Sequence, residues 1–496
     1  MTETGSGSTD LQPELEKQPS TTPAEDIDPP KRQDETAESG DPDLVDWDGP
    51  TDPHNPQNWS NARKWCLVTL VSAVTCNISM ASTVAAPAVP AIMDHFHNSN
   101  LELESFVVSI YIIGFVFGPL LVAPLSELYG RSIILHVTNV LFFIFNIACA
   151  VSTDLPMFIV FRLIVGLMAS TPLTLGGGFI ADLMVAEKRA RALTIWTMGP
   201  VIGGFLSQGA GWRWVLWFVV IISGTLTLAC FIFVRETYSP VLLIRKAARL
   251  RKETGNPKLH SKFDSSKTAY ETFSQAIIRP TKMLLFAPIV TILALYIALI
   301  YTYMYLLFTT FTFIFEEQYG FNSGEAGLAY LGTGIGFILG LFVTGFYSDK
   351  VVRKIRKTQP PKPEHHLPPM AVGAILLPIG LFFYGWTAQY AVHWIVPIIA
   401  TGFFGLGLLL GFMPVQVYLV ETYTIYAASA IASNTVLRSL FGAVVPLAGQ
   451  KMYATLGYGW GNSLLGFIAL IFIPAPFALL KYGEQIRTNP RFQVKL

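Results

Sequence analysis

With 496 residues, 52% hydrophobic content, only 14% charged residues and a mean hydropathy of +0.47, the chain carries more apolar surface than a water-soluble domain can bury. A formal net charge of +1 supplies no bulk attraction to nucleic acid, so the composition points to an all-α, multi-pass membrane protein whose partner is the lipid bilayer. Cys66, Cys76, Cys149 and Cys230 fall in apolar runs without pairing or metal-ligand spacing, which implies neither disulfides nor a metal site.

Residues 1–60 hold 15 Asp and Glu against 3 Lys and Arg. With nothing to bury, they are expected to form a disordered acidic cytoplasmic tail. They lack the basic, apolar and small-residue succession of a cleaved signal peptide, so the first span serves as its own insertion signal. A crossing needs about 20 mostly apolar residues, and twelve runs supply them. Six lie within 61–234: Trp65–Ala85, Ser105–Leu125, Ile133–Val151, Met157–Ala181, Ala192–Ala210 and Trp214–Val234. Six more lie within 282–482: Leu284–Phe313, Gly324–Tyr347, Met370–Trp386, Trp394–Leu419, Ala427–Ala448 and Leu464–Leu480. A polar central loop, 235–281, divides the two sets, and a short tail, 483–496, follows them.

Lys and Arg concentrate in the links after spans two, four, six and eight, including Arg131, Lys188, Arg189, Arg191, Arg245, Lys246, Lys350 and Arg353. The opposite links carry almost none apart from Arg213 and Lys451. That asymmetry places both termini in the cytoplasm.

The two sets echo one another. Span four closes on Asp182 and span ten on Glu421; the turn SELYGR after span two, with Glu127, Gly130 and Arg131, has its counterpart in SDK, with Asp349 and Lys350, after span eight. Span five contains GPVIGG, with Gly199, Pro200, Gly203 and Gly204, and span eleven contains GAVVPLAG, Gly442–Gly449. Gly199, Gly203, Ser207 and Gly211 form a small-residue stripe on which a second helix packs closely, and Pro200 bends the helix beside it. Matched pairs at corresponding places argue for an internal duplication, with a binding site between two halves at the bilayer midplane.

Few residues are able to carry chemistry in such a chain. Arg162 in span four is costly to place in lipid and should face the interior or, if near the outer end of the span, reach up to the interface, in either place as a fixed charge rather than a proton carrier. In span eleven Asn434 and Arg438 stand four apart on one helical face. Tyr301 and Tyr305 give span seven an aromatic, weakly polar surface suited to flat apolar or cationic ligands. Asn77 and Gln208 are further polar candidates for a central cavity. Glu127, Gly130, Arg131, Asp182, Asp349, Lys350 and Glu421 read as a cytoplasmic lock between helix ends. No GxxxxGK[ST], HExxH or GxSxG occurs, so the reading is of a non-enzyme without cofactors, driven by an ion or solute gradient. One charge crossing 100 mV is worth about 2.3 kcal/mol, which a proton gradient supplies.

From Trp47 (WDGPTDPHNPQNWS) to Gly483, the chain resembles the major facilitator superfamily, and within it the twelve-span drug/proton antiporter branch of fungi. RETYSPVLLIRKAARLRKETGN from Arg235, ASNTVLRSLFGAVVPLAGQKMY from Ala432 and GPxxGG at Gly199–Gly204 carry the likeness. The turn after span two departs from the branch pattern GxxxDRxGRR, with Ala123, Glu127, Leu128 and Ser132 at the varied places. The resemblance implies two pseudo-symmetric six-helix bundles, proton coupling near Arg162–Gly166, and a conformational lock at Gly130 and Arg131. It also implies a monomeric plasma-membrane exporter of an amphipathic drug, toxin or secondary metabolite, in exchange for protons, by alternating access. A proton-coupled importer and a transporter-like ligand sensor are the alternatives.

Overall fold

The computed structural model describes residues 43–49, 51–183, 206–263, 269–352, 354–355, 362–423 and 427–489. Val45–Leu496 form one unit and Met1–Leu44 another. In hydrocarbon each backbone N–H and C=O must be satisfied within its own segment, and apolar runs of this length meet that demand as helices. The first half contains α1 (Asn61–Thr83), α2 (Val89–His95), α3 (Leu101–Tyr129), α4 (Arg131–Ala150), α5 (Leu155–Leu183) and α6 (Trp212–Phe233). The connecting region carries α7 (Ser239–Thr254) and α8 (Ala269–Phe286). The second half contains α9 (Pro288–Tyr319), α10 (Ser323–Phe346), α11 (Pro368–Gln389), α12 (Ile395–Thr422), α13 (Ala427–Val444), α14 (Gly449–Phe472) and α15 (Pro474–Thr488).

Local chemistry sets the helix ends. Asn100 accepts from the backbone N–H groups of Glu102 and Leu103 to open α3, and Asn322 with Glu325 forms a reciprocal capping box at the start of α10. Within each half, glycines let backbones touch. A Cβ on Gly114 would fall on the backbone of Gly166, and one on Gly166 on the carbonyl of Tyr111, so α3 and α5 pack without side chains between them. In the second half, a Cβ on Gly336 would fall on the Gly402 carbonyl, and one on Gly373 would stand 2.6 Å from the Gly407 carbonyl. These contacts draw α10 and α11 against α12.

Ten helical stretches among the described residues are long and apolar enough to cross a membrane. The expected fifth span lies mostly outside the described residues. The last stretch, Ser429–Thr488, is 60 residues long, enough for two crossings, and it is broken by the 3-10 turn Val445–Ala448 and by Gly457 at φ 72°. This fits a twelve-helix fold.

Three sequence expectations change. The central loop is largely helical, as α7 and α8, because the basic residues of α7 share their helix with a buried stripe of Val241, Leu243 and Ala247. Gly211 does not belong to the small-residue stripe; it turns the chain at φ 89° to begin α6. The end of the acidic tail is structured. Buried Asp52 accepts from the N–H groups of Asp48 and His54 at 3.0 and 2.8 Å, and its carbonyl accepts from Asn58 Nδ2 at 2.9 Å. Lys246 of α7 bonds Asp48 at 2.6 Å and Lys262 bonds Asp46 at 2.7 Å, so the segment is strapped to the connecting region. Residues 1–42 lie outside the described residues.

Candidate functional site

A narrow cavity lies between the halves, lined by residues of both. Ser79, Ser82 and Thr83 from the end of α1, with Phe115 of α3, form one wall; Tyr301, Tyr305 and Phe308 of α9, with Tyr330 and Thr333 of α10, form the other. The aromatic wall is held in place. The Tyr301 and Tyr305 rings pack at 5.1 Å, and the Tyr330 hydroxyl donates to the Phe308 carbonyl at 2.8 Å.

Behind each wall sits an arginine. Arg162 is 2% exposed; its Nη1 donates to the Ala81 carbonyl at 3.4 Å, and its Cζ stands 5.2 Å from the Tyr111 ring centre. Tyr111 is fixed in turn by its hydroxyl, which donates to the Ile78 carbonyl at 2.9 Å. Arg438 is 8% exposed, with its Cζ 4.9 Å from Tyr301 and 5.2 Å from Phe412. Asn434, one turn before it, is fully buried. The structure thus brings Tyr301, Tyr305 and Arg438 together on the second-half side, and Arg162 stands behind the first-half wall.

Two cavity expectations are corrected. Asn77 is buried but faces a separate, small space inside the first half, lined also by Asn139, Phe142 and Ser223, because that side of α1 packs against α4 and α6. Gln208 is exposed, since it sits on the last helical residues before Gly211 turns the chain outward. Gly199, Pro200, Gly203 and Gly204 lie outside the described residues.

At the end of the bundle that carries the basic links, the turn between α3 and α4 is built around a residue the sequence reading passed over. Gly130 adopts φ 104°, a conformation that favours glycine, and a Cβ there would overlap Glu236 Oε2. The Glu236 carboxylate accepts from Arg131 N at 3.0 Å, Ser132 N at 3.2 Å and Ser132 Oγ at 3.0 Å. It thereby caps the start of α4 with negative charge. Thr237 N and Tyr238 N also donate to it, each at 3.0 Å. Arg131 places its guanidinium over the Tyr238 ring at 4.9 Å. Glu127, expected as the lock's carboxylate, is exposed and within electrostatic range of Arg131 and Arg279; the carboxylate that holds the turn is Glu236. The available signal was the acidic residue in RETYSP.

In the second half the corresponding turn, Tyr347–Val352, is π-helical. Lys350 is exposed and lies 4.8 Å from the Phe346 ring. The side chains of Asp349 and Asp182 lie outside the described residues. Glu421 pairs with His366 at 3.3 Å, and beside it Glu364 takes Arg487 Nε at 3.2 Å and the Tyr418 hydroxyl at 3.4 Å.

Comparison with known proteins places this architecture. The family described as Major Facilitator Superfamily matches residues 71–446. The MFS-type transporter penM of Penicillium rubens is 50% identical over 463 residues, covering 92% of this chain and 91% of penM. The efflux pump radE of Floropilus chiversii is 46% identical over 471 residues, covering 92% of this chain and 87% of radE. Among solved structures, the partially occluded inward-open xylose transporter XylE from E. coli superposes with a TM-score of 0.60 at 17% identity, over 84% of this chain and 99% of that one. The chain is therefore a membrane-embedded transporter of a small molecule and not an enzyme, and it belongs to the Major Facilitator Superfamily.

Proposed function

We propose that this transporter exports an amphipathic small organic compound in exchange for protons, by alternating access, as a monomer in the plasma membrane with both termini in the cytoplasm. The cavity between the halves is the observation that carries this reading. Its aromatic wall of Tyr301, Tyr305 and Phe308 faces hydroxyls of Ser79, Ser82 and Thr83, a surface that holds a flat, partly polar molecule by stacking and a few hydrogen bonds. Outward direction draws support from the relative named an efflux pump and from GPVIGG at Gly199–Gly204. Without a nucleotide-binding loop the work must come from a gradient, and Arg162, always charged, is suited to set the affinity of a neighbouring site for protons. The resemblance implies a conformational lock at Gly130 and Arg131, the turn that Glu236 caps.

Deleting and overexpressing the chain in its host, and comparing intracellular with secreted metabolites, tests the direction. Export predicts one class of compound that disappears from the medium on deletion and rises on overexpression. Unchanged secretion of every candidate, together with reduced uptake of one solute, would leave the importer reading in its place. An Arg162→Ala variant that still concentrates compound on an imposed proton gradient removes that residue from coupling.

A further inference from the structure

Two guanidinium groups stand behind the walls of the cavity with no carboxylate in ion-pair contact among the described residues. Arg162 spends Nη1 on the Ala81 carbonyl, but its Nε and Nη2 have no hydrogen-bond partner among the described residues. The Nε of Arg438 and both amide atoms of Asn434 are equally unpartnered. Each arginine adjoins a cavity wall: Arg162 through Ala81, whose neighbour Ser82 lines the space, and Arg438 through Tyr301. Tyr111 and Tyr301, which carry the two cations, lie within electrostatic range of each other across the interface.

Buried charges are normally paired and buried N–H groups normally bonded. Stacking on Tyr111, Tyr301 and Phe412 offsets part of the lost hydration but leaves those N–H groups unused. A guanidinium presents its donors as a planar fork that fits the two oxygens of a carboxylate. We infer that the cavity takes an organic anion, an amphipathic aromatic carboxylate. Its ring stacks on Tyr301 and Tyr305, and its charge is shared by Arg162 and Arg438. The inference rests on the cavity being the transport site, as proposed above, and it reverses the cation preference that the tyrosines alone suggest. One face of Tyr301 is already taken by Arg438, so a ligand cation there meets a like charge. An anion leaving as a proton enters also moves two charges in one sense. That raises the attainable gradient about 50-fold per 100 mV over exchange of a neutral compound.

The test uses the purified full chain and three radiolabelled probes with one ring system: 1-naphthylacetate, its neutral amide, and 1-naphthylmethylammonium. In equilibrium dialysis the acetate should bind at least tenfold tighter than the amide, with the ammonium weakest. Arg162→Gln and Arg438→Gln should each bring the acetate-to-amide ratio toward one, while Arg438→Lys keeps part of it. The inference is overturned if the amide or the ammonium matches the acetate, if the acetate does not bind, or if sodium sulfate displaces it at equal concentration, which marks a site for inorganic anions. The three probes on the unaltered protein decide the matter even where a variant does not fold. Proteoliposomes with an imposed pH gradient separate the two readings. If the ammonium is bound and driven by protons, coupled export stands and the anion inference falls. If the acetate binds through the arginines yet no proton gradient moves it, the anion inference stands and coupled export falls.

Discussion

Replacing Glu236 with alanine removes the acceptor of three hydrogen bonds that tie the start of α4 to the connecting region: those from Arg131 N, Ser132 N and Ser132 Oγ. Hydrogen bonds to a charged group contribute about 1.5–3 kcal/mol each, and lost bonds on one acceptor do not add fully. A charge at a helix N-terminus adds about 0.3–1 kcal/mol. Water reaches the truncated site at the bundle end and recovers part of the loss, which leaves a net cost of about 3 kcal/mol. Glu236→Gln retains one acceptor oxygen and loses the charge, for about 1–2 kcal/mol. For a unit the size of residues 61–234, each kcal/mol shifts the midpoint by about 2–4 °C, so the alanine variant should unfold about 6 °C or more below the unaltered protein in detergent. Gly130→Ala should behave similarly, because its Cβ overlaps the Glu236 carboxylate. An alanine variant that melts within a degree of the unaltered protein would show that Glu236 does not hold this turn.

Gly166→Ala forces a methyl onto the Tyr111 carbonyl; overpacking of this kind costs about 1–3 kcal/mol, and thermal unfolding should show it, with a non-additive response in the Gly114→Ala, Gly166→Ala double variant. Burial pushes the Asp52 carboxyl up, but the N–H groups of Asp48 and His54, the His54 ring and Lys246 outweigh it and hold it below its ordinary value. The stability it gives the strap is present above the unfolded carboxylate value of about 3.9 and is lost as pH falls through the lower folded value. Amide exchange over residues 45–58 should accelerate in that window, and Asp52→Asn should remove the pH dependence. Lys246→Ala should speed limited proteolysis of the same segment at neutral pH. Tyr330→Phe deletes the donor to the Phe308 carbonyl, costs about 1 kcal/mol, and should lower the melting midpoint; an unchanged midpoint would mean that the bond contributes nothing.

The lipid-crossing runs were legible because a bilayer imposes length and apolarity on each segment separately. What depends on distant partners was not. Glu236 bonds a helix start 104 and 105 residues away, and no local pattern distinguishes its carboxylate from other loop acids. Asn77 and Gln208 were chosen for polarity alone, and only the packing of α1 and the turn at Gly211 decide which way they face. Arg162 and Arg438 were legible by cost, since charge in hydrocarbon demands an interior position; their shared neighbourhood around Tyr111 and Tyr301 required the fold. The strap at 46–58 was hidden by its acidity, which suits disorder until Lys246 and Lys262 are brought opposite it.

The glycine-mediated backbone contacts of α3 with α5, and of α12 with its neighbours, leave little slack for helices to slide within a half. A half so built acts as a lever. At about 1.5 Å per residue, the 29 residues of α3 extend about 43 Å, so a tilt of about 10° about the midpoint displaces each end by about 4 Å. Side chains lining the cavity sit near that midpoint and shift little, while the ends travel far enough to make or break contacts between the halves. On the alternating-access reading proposed above, cargo recognition and gating fall at different distances from one fulcrum, and changes at the cavity wall are free to alter what is carried without altering how far the ends swing.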